Sequence, residues 1–215
     1  MQKNYNRETI ASWDRFYRAN FINSMSGYKS VSLIGTKSKE GRSNLAIFSN
    51  IVHLGADPPL IGFVNRPLEA APHTLTNIQD TGIYTINLIS TSFIDKAHQT
   101  SAKYLQTQNE FERVGLEEVY LENISAPFVK ISPLKYALEL KEVIPITHNR
   151  TFFVIGEVTS IFINDELISN DGYLHLEKAS IISSLGIDGY YEPDFISRYE
   201  YAKPDVPPIR KSKID

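Results

Sequence analysis

From Gly27 onward the chain reads as a succession of extended runs with mostly short connections, and that pattern limits its fold more than anything else in it. Val31, Leu33 and Gly35 alternate with Ser32, Ile34 and Thr36, and Lys37-Ser38-Lys39-Glu40-Gly41 turns the chain into a second run, Asn44 to Ser49. The pair predicts a β-hairpin. Asp57-Pro58-Pro59 cannot continue a central strand because neither proline offers an N–H, so Leu60 to Val64 begins a third strand afresh. Pro72 suits a first helical turn and Gly82 a helix end, which places a short helix from Ala71 to Ile78 before a strand at Ile83 to Leu88. Two long runs follow in the second half, Leu134 to Ile144 and Thr151 to Val158, separated by Pro145 and the polar Thr147 to Arg150. Their β-branched and aromatic content favours strands. Parallel neighbours would each need a long crossover, usually a helix. Many strands with only short helices between them cannot supply regular βαβ units, so the core is expected to be mainly antiparallel β and closed into a barrel.

Ahead of the strands, Trp13, Phe16, Tyr17 and Phe21 recur at helical spacing, which predicts a helix from Thr9 to Ser24 whose aromatic face packs on the core. The middle, Ser92 to Lys130, is polar and reads as helix and loop, with Asp95 to Ala102 as its helical stretch. Pro193, Pro204, Pro207 and Pro208 mark residues 190–215 as an ordered strap with a loose end. No internal period, low-complexity tract or Gly/Ser linker divides the sequence, so residues 1–215 are expected to form a single domain.

At 42% hydrophobic the chain can build a core, and 22 basic against 25 acidic residues exclude a bulk polycation that holds nucleic acid by charge alone. Zero cysteines rule out disulfides, thiolate metal sites, iron–sulfur clusters and cysteine nucleophiles together, and fit a reducing compartment. The opening Met1 to Arg7 is polar, without a secretory h-region, and no later apolar run approaches the ~18 residues of a membrane span. A soluble, cytoplasmic protein is expected. The five histidines lack metal-ligand spacing, and the sequence holds no GxGxxG after a strand, no GxxxxGK[ST], no GxSxG and no HExxH. One anion cradle remains as a candidate. Asn65-Arg66-Pro67 ends the third strand and His73-Thr74 starts the short helix, so a guanidinium, a hydroxyl and a helix N-terminus can converge on one phosphate. The blander alternative makes Arg66 a solvated turn residue and Thr74 an N-cap.

The blocks Gly41 to Asn50, Asp57 to Phe63, Asn65-Arg66-Pro67, His73 to Ile78 and Thr81 to Asn87, then Ser125-Ala126-Pro127 and Phe153 to Val158, stand in the order found in one family. Together they resemble the flavin reductase-like family of FMN-binding split-barrel proteins. The likeness runs from Phe21 to Val158, with weaker similarity through Arg198-Tyr199. It implies an antiparallel Greek-key split β-barrel with short peripheral helices, a homodimer, and FMN bound non-covalently near the dimer interface. It also implies that Ser43, Asn44, Leu45, Ala46, Ile47, Phe48, Ser49 and Asn50 lie along the isoalloxazine and ribityl chain, largely through main-chain groups. Arg66, His73 and Thr74 would then hold the phosphate, with Asn65 beside them. Asn77 would support the helix start or touch the ligand. Where many relatives carry a lysine beside the threonine this chain has His73, which leaves one less permanent charge on the phosphate.

By the same resemblance His98 and Thr100 approach the flavin edge and His148 lines a nicotinamide pocket, although the blander reading of each, surface or structural hydrogen bonding, is the favoured one. No catalytic side chain is required, because FMN itself accepts and passes on electrons. The implied activity is that of a flavin reductase, with NAD(P)H reducing the flavin and a second flavin, a metal complex or a partner redox protein accepting the electrons. The alternatives are a flavoredoxin-like electron carrier without NAD(P)H activity of its own, and an FMN-binding module, including the pyridoxamine-phosphate oxidase relatives of the barrel.

Overall fold

A computed structural model describes residues 1–105 and 107–211. Its first elements are two helices, α1 (Arg7–Ser12) and α2 (Arg15–Met25), where periodicity alone predicted one. The break falls at Trp13-Asp14, because an Asp14 carboxylate oxygen accepts the N–H groups of Phe16 at 2.8 Å and Tyr17 at 3.2 Å and so caps a new helix. Those N–H groups hold the Asp14 carboxyl below its ordinary range. The aromatic face does not reach the core as expected. Tyr5, Trp13, Tyr17 and Phe21 pack on one another, with Trp13 and Phe21 ring centres 4.8 Å apart, and none of the described residues in α1 or α2 is buried.

The chain continues through β1 (Lys29–Ser30), β2 (Ser32–Lys37), β3 (Ser43–Phe48), β4 (Val52–Ala56), β5 (Pro59–Asn65), α3 (Pro72–Thr81) and β6 (Ile83–Leu88). The second half holds α4 (Ile94–Gln99), α5 (Glu110–Val114), β7 (Glu118–Val119), β8 (Phe128–Val129), β9 (Leu134–Ile146), β10 (Thr151–Ile163), β11 (Ser183–Leu185) and β12 (Gly189–Tyr191). Among the described residues, seven strands form one sheet in the order β3-β2-β6-β9-β10-β5-β4, every neighbour antiparallel. A small sheet, β1-β11-β12, lies apart from it, and β7 pairs with β8.

Prolines sit where a missing N–H does no harm. Pro59 is the first residue of β5, outside the ladder with β10 that starts at Leu60. Pro145 does not end β9 as the sequence suggested; β6 pairs with β9 only up to Glu139, so beyond that point one edge of β9 is free of a ladder. Pro72 opens α3, and Gly82 closes it in the left-handed region, φ 75°, with its N–H donating to Ile78 at 2.8 Å. Leu75 and Ile78 on α3 are fully buried among the barrel residues Ile34, Phe63, Tyr84, Ile86, Leu138 and Val154. Tyr84 lies against Gly156, the only residue type that leaves room for its hydroxyl end there. On the opposite face of β2 and β3, Leu33 and Leu45 pack with Phe93, Phe111, Val114 and Ile182, so this end of the sheet is buried on both sides.

The barrel is open along one seam. Although β3 and β5 stand far apart in the strand order, the Asn50 side chain just past β3 donates to the Val64 carbonyl at 3.0 Å and accepts its N–H at 3.2 Å. One side-chain amide thus bridges where a ladder would otherwise close the sheet. In the middle segment α4 ends at Gln99, short of the expected Ala102, and the Thr100 hydroxyl donates to the Ala97 carbonyl at 2.8 Å. Past β12 the chain carries no helix or strand over residues 192–211; the loose end expected at residues 212–215 lies outside the described residues.

Candidate functional site

The outer half of β3, the N-terminus of α3, the segment from α4 to α5 and the hairpin of β11 and β12 enclose a cleft of about 540 Å³. That size suits a small-molecule or cofactor site. One wall is a free strand edge. β3 ends the sheet, and the Leu45 N–H faces outward from it, donating to a Glu110 carboxylate oxygen at 3.2 Å. The register with β2 runs without a bulge from Ser43 to Phe48, so the N–H and C=O of Ile47 face outward as well, on the side lined by the cleft.

The anion end forms around α3. Its first N–H groups have no intrahelical partner, and the N-cap, Ala71, offers no side-chain acceptor. Thr74 is buried and lines the cleft; its hydroxyl oxygen accepts from Asn44 Nδ2 at 3.2 Å, which leaves the hydroxyl proton free to donate. Arg66 lines the same cleft and is exposed, and among the described residues no carboxylate lies within ion-pair distance of it. Glu69, the nearest acid in the loop, pairs with Arg150 at 3.3 Å. Burial pushes the His73 pKa down, so this residue offers hydrogen bonds at neutral pH rather than a charge.

The far wall carries His98, Thr100 and Tyr104, and Tyr190 from β12. His98 Nδ1 and the Tyr190 hydroxyl are 2.8 Å apart, which leaves Nε2 as the ring nitrogen without a partner among the described residues. Burial raises the Tyr190 pKa, so its hydroxyl keeps its proton.

The structure therefore gathers Asn44, Ala46, Ile47, Phe48, Ser49, Asn50, Arg66, His73, Thr74, His98 and Thr100 around one cleft. Ser43, Asn44, His73 and Asn77 line a small polar recess beside the start of α3. Ser43 is 3.0 Å from the Tyr120 hydroxyl, and Asn77 donates to Thr36 at 3.0 Å, a support for the helix start. Three residues stand elsewhere. The Leu45 side chain is in the core, with only its backbone toward Glu110. Asn65 is buried behind the cradle, donating to the carbonyls of Arg66 at 2.7 Å and Ala71 at 3.3 Å, and so shapes the loop rather than lining the cleft. His148 lies exposed in the turn between β9 and β10, outside the cleft. Glu110 and Tyr190 line the cleft without having been singled out in the sequence. Both arrive from distant segments whose local pattern carries no signal of the cleft.

The family model described as flavin reductase like domain matches residues 25–179, which takes in every element from β2 to β10. The chain belongs to the flavin reductase-like family. Its fold is shared by a split-barrel protein of Shewanella frigidimarina assigned to the flavin reductases, 43% identical, with a TM-score of 0.90 over 94% of this chain and 100% of that one. Nitrilotriacetate monooxygenase component B from Bacillus cereus is 21% identical, with a TM-score of 0.81 over 92% of this chain and 98% of that one. Flavoredoxin of Desulfovibrio vulgaris is 22% identical, with a TM-score of 0.69 over 83% and 92%. For the last two the likeness is one of fold.

Proposed function

We propose that this cleft binds FMN and that the protein is an NAD(P)H-dependent oxidoreductase of the flavin reductase type, passing electrons to a second flavin or another small acceptor. The observation that carries the reading is that the uncapped N-terminus of α3 and the unpaired Arg66 line one cleft, beside a strand edge with free backbone groups. An uncapped helix start and a guanidinium suit a phosphate, and the edge of β3 offers the alternating donor and acceptor that a flavin ring edge requires. The residues present fit the cofactor. Arg66, Thr74 and the first N–H groups of α3 would take the phosphate; Ile47 and its neighbours would meet the ring with main-chain groups; His73 would donate without adding charge.

When bound, FMN supplies the hydride and electron chemistry. The chain's own part is to bind, orient and shield: Phe48 and Ile47 exclude water from one wall, while the His98–Tyr190 pair holds an imidazole nitrogen toward the space where a second molecule would enter. As part of the same proposal, the protein is cytoplasmic and homodimeric, and residues 1–215 form one domain. Among the described residues no helix is long and apolar enough to cross a membrane.

A second reading, an electron carrier that takes electrons from another protein, gains from the position of His148. The residue expected at the nicotinamide lies outside the cleft, which leaves no assigned group for NAD(P)H there. An absorption spectrum followed by anaerobic addition of NADH and NADPH separately distinguishes the two. Blue-light absorption that bleaches with one of them is expected. Flavin that resists both but accepts electrons from dithionite selects the carrier, and a colourless protein that cannot be reconstituted with FMN defeats both.

A further inference from the structure

α5 starts at Glu110, with the Asn109 side chain accepting the Phe111 N–H at 2.9 Å. Phe111 and Val114 are anchored in the core behind β3, which fixes the rotation of the helix and turns Glu110 toward the strand edge. The result is unusual for a carboxylate. Glu110 is only 6% exposed and lines the cleft, and among the described residues no lysine, arginine or histidine lies within ion-pair distance of it. Lys96 on the neighbouring α4 donates its ammonium to the Gly115 carbonyl at the far end of α5. Of the other charged groups around the cleft, Arg66 and Glu69 belong to the anion end and Lys103 is exposed. Burial raises the Glu110 pKa, as an uncompensated carboxylate requires.

One oxygen accepts the Leu45 N–H, yet that bond does not need a charge. A glutamine carbonyl would accept it equally well, without the cost of desolvating an anion. At a pH above its raised pKa the carboxylate is ionised, and that charge acts on whatever fills the cleft.

We propose that Glu110 lowers the reduction potential of the flavin in this cleft by facing it with an uncompensated negative charge; the proposal rests on the reading that the cleft holds FMN. A hydride leaving NAD(P)H carries two electrons and one proton, so the flavin gains one negative charge as NAD(P)⁺ departs. A carboxylate in a low-dielectric wall opposes that gain. The bound flavin becomes the stronger electron donor toward its acceptor, and Glu110 acts as a tuning residue.

The test is spectroelectrochemical titration of the FMN-loaded protein at pH 8, comparing wild type with Glu110→Gln and Glu110→Asp. Glu110→Gln keeps an acceptor for Leu45 and removes the charge. It is expected to favour reduced over oxidised flavin by about tenfold more than wild type, an upward shift of about 30 mV for a two-electron couple. Glu110→Asp keeps the charge and is expected to stay close to wild type. A Glu110→Gln potential that is unchanged or lower overturns the proposal. A second readout needs no variant: by ¹³C NMR, Glu110 in the wild-type holoprotein is expected to titrate at higher pH with reduced than with oxidised flavin, and equal titration overturns the proposal as well. A yellow protein with an insensitive potential defeats this inference alone, whereas a protein that takes up no FMN defeats the proposed function beneath it.

Discussion

Arg66 separates the two ways of reading the anion end. A guanidinium in a solvated turn has no effect on a ligand, whereas one that shares a cleft with an uncapped helix N-terminus can make charge-assisted bonds to a phosphate that are stronger than neutral ones. Its carboxylate neighbour Glu69 is engaged with Arg150, and Asn65 fixes the loop through the Arg66 carbonyl itself. Since burial lowers the His73 pKa, Arg66 would supply the permanent side-chain charge of the proposed cradle. Arg66→Ala is therefore expected to weaken FMN by about 1.5–3 kcal/mol and riboflavin, which lacks the phosphate, hardly at all. Fluorescence titration with the two ligands checks this, and an equal loss for both would remove Arg66 from the phosphate site.

Elements with strong local grammar were legible in the sequence, and those made by long-range contacts were not. Pro72 and Gly82 bracket α3 because each encodes a backbone conformation by itself, and the hairpin of β2 and β3 announces itself by alternation around a Gly-containing turn. β1, β11 and β12 are two or three residues long, too short to show a period, and β4 is an exposed edge strand whose residues no core patterns. The cleft-lining residues Arg66, His73 and Thr74 sit on local motifs and could be singled out for the same reason, while Glu110 and Tyr190 reach the cleft only through tertiary packing. The strap past β12 is tied back by such a long-range contact. Arg198 forms two hydrogen bonds to Asp171, the shorter at 2.6 Å, and its guanidinium stacks 4.1 Å from the Tyr173 ring centre. This pairing holds the Asp171 carboxyl down at about 2. A depressed carboxylate pKa stabilises the contact above the ordinary value near 3.8, and the contribution is lost as pH falls toward 2. The wild-type strap is thus expected to resist pepsin at pH 3.5, and Arg198→Ala to release it there, with cleavage confined to residues 192–211. Equal digestion of both proteins would show that the pair does not hold the strap.

At the scale of the whole molecule, the two chain ends meet on one small sheet. β1, just after the N-terminal helices, pairs with β11, which pairs with β12 at the start of the strap, so the flanking segments converge beside the cleft. That side of the molecule carries exposed apolar surface: Phe16, Met25 and Tyr28 are 74%, 67% and 65% exposed, and Tyr28 stacks on the half-exposed Tyr191 with ring centres 4.8 Å apart. An exposed aromatic pair such as Tyr28 and Tyr191 beside the cleft is suited to contact with a second molecule. Asn23 of α2 and Ile187 of the β11–β12 turn line the cleft and lie in the same region, so a second copy of the chain covering this face would also restrict access to the cleft. In the proposed reading a homodimer and FMN binding are coupled: ligand that binds the dimer preferentially stabilises it by mass action. Sedimentation-velocity runs over a dilution series, with and without FMN, are expected to show a dimer that dissociates at lower protein concentration when FMN is present. A monomer that retains full FMN affinity at every concentration would break the coupling and leave the cleft complete within one chain.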